Sequence, residues 1–327
     1  MQSQLTSEKA PSLWQRSANL SRPLTFVLAF MLVAFIVGIV GLFVDQQLIT
    51  GAPAWLKPLK FAISISVYVA TIIFLLQFLT LRPRLVKFVE YVTAVALVIE
   101  MIIIALQIIR GTTSHFNMTT FLNAALFDTM GGFILAVWVA AIILAIVLLF
   151  QPFTDPVWAW TIRLGLIATI LGMAVGGLML APTHTQIASI QQIHSLPISG
   201  AHSVGVADGG PGLPFLGWST VGGDLRVPHF FGLHALQVLL IIGWFISRSQ
   251  GWLTVRHRVA LIFTAALSYV SIGALLVWQA LRGQSIVQPD AATVIAFAGV
   301  VLATIIAVAI IVSSGRHSTQ TATVSHA

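Results

Sequence analysis

The sequence predicts an all-α, polytopic bundle of transmembrane helices. Three observations carry that prediction. Of 327 residues, 58% are hydrophobic and only 8% charged, with a mean hydropathy of +0.98. A soluble domain carries about 25% charged residues. The apolar residues fall into eight runs of about 18–30 residues, each enough to cross a hydrocarbon core about 30 Å thick. The basic residues sit in the connections between those runs or close to the run ends.

The runs are 24–44, 59–79, 86–109, 121–150, 157–180, 229–246, 257–280 and 291–312. The first follows a polar segment and lacks a small-residue cleavage signature, so it reads as a retained helix. The second opens on Trp55, Lys57, Pro58 and Lys60, where the two lysines read as snorkelling anchors or as ligand contacts. The third carries Glu100 near its middle and Gln107 seven residues on, with Glu90 near one end at the interface. The turn after it reads Arg110-Gly-Thr-Thr-Ser114-His115-Phe116-Asn117. The fourth run carries Asp128, on the same helix face as Asn117 if the helix already starts there, and Gly131-Gly132. The fifth carries Gly172 and Gly176-Gly177. These glycines predict close helix packing. The sixth opens on Pro228, whose missing N–H is harmless at a first helical position. On a regular helix Gln237 lies ~80° and His234 ~140° round from His229, which puts all three on one face of an unbroken span. The seventh ends Gln279-Ala-Leu-Arg282-Gly283, and the eighth closes the bundle.

The domain organisation expected is an N-terminal tail (1–23), a first four-helix half (24–150), a second half (151–312) that includes the long loop 181–228, and a C-terminal tail (313–327). Two matches suggest that the halves are tandem repeats in parallel orientation. Gln107-Ile-Ile-Arg110-Gly111 resembles Gln279-Ala-Leu-Arg282-Gly283, and Lys57-Pro-Leu-Lys60-Phe61 resembles Arg226-Val-Pro-His229-Phe230. An even number of spans per half keeps both halves in the same orientation.

Charge sets the expected orientation. Lys9, Arg16, Arg22, Arg82, Arg84, Lys87, Arg163, Arg248, Arg256, Arg258 and Arg316 fall on one side. Lys57, Lys60, Arg110, Arg226 and Arg282 fall on the other. The richer side is cytoplasmic by the positive-inside rule, with both termini. The net charge of +7 is therefore orientation chemistry and not a nucleic-acid footprint. With no cysteine there is no disulfide and no thiolate metal site. No P-loop, HExxH or dinucleotide fingerprint is present. In the long loop, Asp208-Gly-Gly-Pro-Gly-Leu-Pro214 reads as successive tight turns and Trp218 as an interface anchor. A loop of this length is expected to fold as a lid over the bundle mouth. His184, His194 and His202 show no metal spacing and read as loop residues.

Ionisable groups at membrane helices are expensive and mark functional sites. Three readings remain open. The first is binding or transport of an anionic small molecule or lipid, with Lys57, Lys60, Arg110, Asn117, Asp224, Arg226, Gln237 and Arg282 around one extracytoplasmic pocket. The second is a b-type haem protein, with His234 or His229 and His115 as axial ligands. The third is a membrane-embedded enzyme holding a divalent metal on His115, His229 and His234, with Asp128 or Asp224 and with Ser114 or Glu100 assisting. His229, His234, Glu100 and Asp128 are the acid–base candidates. The bilayer is the expected partner, nucleic acid is not, and oligomeric state stays open.

The segments Arg110-Gly…Ser114-His-Phe-Asn117, Asp208-Gly-Gly-Pro-Gly-Leu-Pro214…Gly217-Trp-Ser219 and Gly223-Asp-Leu-Arg226…His229-Phe230…Gly232-Leu-His-Ala-Leu-Gln237 resemble a family of bacterial polytopic membrane proteins without an assigned activity. The resemblance implies a bacterial inner membrane and supports the choice of site residues. It implies no reaction.

Overall fold

Several of the long helices begin where a side chain or a proline disposes of the first free amides. The computed structural model describes residues 12–193, 196–249 and 251–324. A short helix, α1 (Leu13–Leu20), starts from a capping box between Ser12 and Gln15. In α2 (Arg22–Val44) the Ser21 hydroxyl accepts from the Leu24 amide, with a proline in the first turn. A two-stranded turn, β1 (Leu48–Ile49) with β2 (Ala52–Pro53), leads to α3 (Leu56–Leu76). Pro83 opens α4 (Pro83–Ile109), and Thr120 caps α5 (Phe121–Phe150). Asp155 caps α6 (Pro156–Leu178). These caps satisfy donors that hydrocarbon could not.

The second part of the chain is less regular. The exposed helix α7 (His184–Ile193) follows α6. Strands β3 (Ser203–Val204) and β4 (Gly223–Asp224) pair antiparallel within the long loop. Helices α8 (Arg226–Leu233) and α9 (Ala235–Ser247) meet at a 43° bend. The last two helices are α10 (Val255–Leu281) and α11 (Ala291–Val324).

Among the described residues, seven helices are long and apolar enough to cross a membrane, and the bent pair brings the number to eight if it is counted as one span. The chain is a multi-pass helical membrane protein. The sixth span is not one unbroken helix, as the apolar run predicts. It breaks at His234, whose amide is shared between the Phe230 and Phe231 carbonyls at 3.3 Å each.

The packing partners recur along the chain. Helix α2 packs on α3, α4 on α5, and α2 also on α4. In the second part α6 packs on α8 and α9, α10 on α11, and α6 also on α10. Contact between α5 and α6 joins the two sets. The main core is built from α2, α3, α4 and α5 with Ile162, Leu166 and Leu236. Large apolar side chains such as Phe26, Val33, Leu267 and Ile295 are exposed on the outside, as lipid contact requires.

Not every glycine serves packing. A Cβ on Gly172 would lie 2.3 Å from the Gly232 backbone, so two glycines let α6 and α8 cross in direct contact. A Cβ on Gly131, Gly132 or Gly177 would meet nothing within 4 Å. The close packing expected there is absent, because those positions face away from neighbouring helices.

Candidate functional site

The α2–α3, α4–α5 and α10–α11 connections share one face of the bundle, and the long loop is fastened to all three. Gly209 lies against Thr50 and Gly51. The Ser199 amide donates to the Phe116 carbonyl at 2.9 Å. The Ser285 hydroxyl donates to the Ser219 carbonyl at 2.9 Å. The loop folds back over the helix ends as a lid.

Two of the five cations on this face are committed to turns. Arg110 and Arg282 close α4 and α10 in nearly the same backbone conformation, and the next residues, Gly111 and Gly283, have φ of 71° and 72°. The Gln107 amide donates to the Thr113 carbonyl at 3.2 Å, and Gln279 to the Ser285 carbonyl at 2.9 Å, six residues on in each case. Arg110 donates to Gln107 and to Asn123 in the first turn of α5. Arg282 pairs with Asp290 and reaches Thr293 in the first turn of α11. Each arginine fastens the end of one span to the start of the next.

The other three cations converge under the loop. The Lys57 ammonium lies 3.1 Å from His115 Nδ1. One turn on, Lys60 donates to the Leu216 carbonyl at 3.0 Å. Arg226 donates through Nε and Nη2 to the two Asp224 oxygens at 2.9 and 2.6 Å, and through Nη2 to the Gly217 carbonyl at 2.6 Å. Gly217 has φ of +70°, and a Cβ there would stand 3.9 Å from Arg226 Nη1 and 4.0 Å from Lys60 Nζ. The positive φ calls for glycine here, while the distances are those of ordinary contact and place the loop backbone beside both cationic tips. Asp224 is 3% exposed and also accepts from the Ser219 and Arg226 amides. Arg226 is thus charge-balanced. Among the described residues Lys57 and Lys60 each make one hydrogen bond, which leaves two N–H donors on each ammonium for other partners.

Beneath Lys57 lies an acid. An ammonium only donates, so His115 Nδ1 accepts from Lys57 and the ring hydrogen sits on Nε2. The Ser114 hydroxyl also approaches Nδ1, at 3.1 Å. His115 Nε2 faces Glu100 Oε1 at 3.8 Å. Glu100 is 1% exposed, and its Oε2 has no hydrogen-bond partner. Burial, with the Lys57 and His202 charges nearby, holds the His115 imidazole well below the usual histidine range. His115 is therefore neutral near pH 7.

Loop residues missing from the sequence-based set complete this corner. His202 Nδ1 donates to Asp208 Oδ2 at 2.8 Å, and the His202 and Ser203 amides donate to the same carboxylate. Burial would raise the Asp208 carboxyl, but these hydrogen bonds hold it well below the usual range. Burial lowers His202 despite Asp208. The His202 ring packs on Phe116 at 4.9 Å between centroids. An Asp before Gly-Gly-Pro reads as a turn former, and nothing in the sequence pairs it with a histidine six residues upstream.

The remaining expected residues are dispersed. His229 Nδ1 bonds the Gly172 carbonyl at 2.8 Å, and its ring lies over Gly176. His234 packs on the Phe230 ring at 4.5 Å, and Trp218 meets the same ring at 5.9 Å. Gln237 donates to Thr71 at 3.0 Å, leaving Oε1 buried without a partner. The break at His234 separates the three groups expected on one face. Asn117 is buried and spent on Thr112, Thr113 and Thr119. Asp128 is exposed, although its neighbour Phe127 packs on the His115 ring at 6.4 Å between centroids. Helix α5 begins only at Phe121, so helical spacing from Asn117 does not apply. Glu90, expected at the interface, is buried. Among the described residues, no three His, Cys, Asp or Glu side chains converge to hold a metal ion, so His115, His229 and His234 do not form the expected metal set. His184 begins α7, away from this corner, and His194 lies outside the described residues.

No family model, curated protein or solved structure matches the chain.

Proposed function

We propose that the protein binds an oxyanion, a carboxylate or phosphate-like group, at the corner formed by Lys57, Lys60 and Arg226, and that this binding serves transport across the membrane. One observation carries the reading. Two lysines on adjacent turns of α3 point under the loop with unfilled donors, beside an arginine whose charge Asp224 already balances. Charge-assisted hydrogen bonds are the strong ones, and ammonium groups left short of acceptors in a half-buried corner are suited to an anion. The broken sixth span supports transport. Broken helices at a repeat interface are a recurrent device for holding substrate.

In this reading the two sets of four spans are tandem repeats. The recurrent packing and the matching turns at Arg110 and Arg282 support it. The first repeat supplies the lysines and the second supplies Arg226. The loop face is extracytoplasmic and both termini are cytoplasmic, in a bacterial inner membrane, because the opposite face carries most of the cations.

The test is a titration of the purified protein. Sulfate and succinate serve as free anions in neutral detergent, and phosphatidylglycerol in nanodiscs serves as the lipid headgroup. Saturable, salt-weakened binding of a free anion supports a soluble substrate. Binding of phosphatidylglycerol alone assigns the site to a lipid. Binding of none overturns the reading.

A further inference from the structure

We infer that Glu100 is a proton site coupled to the anion corner: an anion settling on Lys57 drives uptake of one proton by Glu100 through His115. The inference rests on the anion reading above and names the ion that accompanies the anion.

Glu100 sits about two-thirds of the way along α4, nearer its loop-face end, and is 1% exposed. Helices α2, α3 and α5 pack on α4. Lys57 from α3 and His115 from the α4–α5 turn are the titratable groups that face Glu100. The only charged residue of α2 is Arg22, at its far end, and the only one of α5 is the exposed Asp128. In its ionised form the carboxylate is balanced by one ammonium, reached across one imidazole. An anion on Lys57 competes for that same charge. Two negative charges sharing one cation in a low-dielectric interior repel strongly. Protonating Glu100 removes the conflict. The unpartnered Oε2 fits this role, since no fixed donor ties the carboxyl to its ionised form.

The geometry also supplies a route. His115 Nδ1 accepts from Lys57, while Nε2–H faces Glu100 Oε1 at 3.8 Å. That separation belongs to the looser range of unliganded proton-transfer sites. When the Lys57 ammonium turns to the anion, Nδ1 is freed and takes a proton from water at the loop face. The Nε2–H bond breaks, and its proton forms an O–H bond on Glu100. One water-borne proton is consumed, the carboxylate becomes a carboxylic acid, and His115 is neutral before and after.

Sulfate is the probe, because its own charge is constant between pH 6 and 9. Calorimetry in Tris and in HEPES reads the protons taken up per sulfate bound. Wild type is expected to take up a fraction of a proton that grows toward one between about pH 6 and pH 9, with affinity at the alkaline end rising up to about tenfold per unit fall in pH. Glu100→Gln is expected to bind sulfate without that uptake and with a flat pH profile. Glu100→Asp, which keeps the carboxyl, is expected to keep the uptake. A carboxylic-acid carbonyl band that appears in the infrared spectrum of wild type on adding sulfate reads the same event if the Gln variant does not fold. Sulfate binding by wild type without proton uptake, or with equal uptake by Glu100→Gln, overturns the coupling and leaves the anion reading standing. No sulfate binding at all overturns both.

Discussion

Gly172→Ala tests the crossing on which the second half of the corner depends. The added Cβ would stand 2.3 Å from the Gly232 backbone, where ordinary contact begins at 3.4 Å. The obstacle is main chain, so no side-chain rotation relieves it, and α8 has to move as a unit. Overpacking of this kind costs about 1–3 kcal/mol. Displacing α8 also weakens the bond of 2.8 Å between His229 and the Gly172 carbonyl, worth about 1 kcal/mol. The expected loss is therefore ~2–4 kcal/mol. Gly131→Ala is the control. It meets nothing within 4 Å and gains up to about 1 kcal/mol of helix propensity. Thermal unfolding of the purified variants in one detergent is the assay. Gly172→Ala should melt clearly below wild type, and Gly131→Ala at or above it. A Gly172→Ala protein as stable as wild type would refute the glycine crossing.

Asp224→Asn should destabilise the fold while sparing sulfate binding. A broken buried pair costs ~3–5 kcal/mol. Arg226 is 30% exposed, which discounts the loss to about 2 kcal/mol, and a freed arginine can only favour an anion. Thermal unfolding and sulfate titration of the same sample check both halves, and a large loss of affinity would show Asp224 to be a ligand contact. The loop should loosen in acid. His115 and His202 are both held below their ordinary 6.5 by burial, so the unfolded chain binds these protons more tightly. Their contribution to stability is complete above about pH 6.5 and drains as pH falls below it. The Asp208 carboxyl is held below its ordinary value, so its contribution is complete above about pH 4 and persists through that window. Hydrogen exchange at the His202 and Ser203 amides should be faster at pH 5.5 than at pH 7.5 after correction for intrinsic rates. Equal protection at both would contradict the histidine assignment.

The bundle was legible because apolar runs of spanning length have few other uses. Lys57, Lys60, Arg226, His115 and Glu100 stood out for a related reason: ionisable groups at membrane helices need a cause. The break at His234 was not legible, since Pro228 lies at the helix start and Gly232 only permits a close approach. Arg110 and Arg282 carry the same charge as the lysines, and their use in turns depends on helix caps that the charge pattern does not reveal. Asp128 was misplaced by counting a helical repeat through a turn. The His202–Asp208 pair is a tertiary contact inside a Gly/Pro-rich loop, where no periodicity operates.

The proposed site stands or falls with Lys57 and Lys60 as the groups that hold the oxyanion. The most direct measurement is the sulfate dissociation constant of wild type against Lys57→Gln/Lys60→Gln at equal ionic strength. Each lost charge-assisted hydrogen bond is worth about 1.5–3 kcal/mol. The pair should therefore weaken binding by roughly a hundredfold or more while the protein still melts cooperatively. Equal affinity in the two proteins would show that the lysines do not hold the anion.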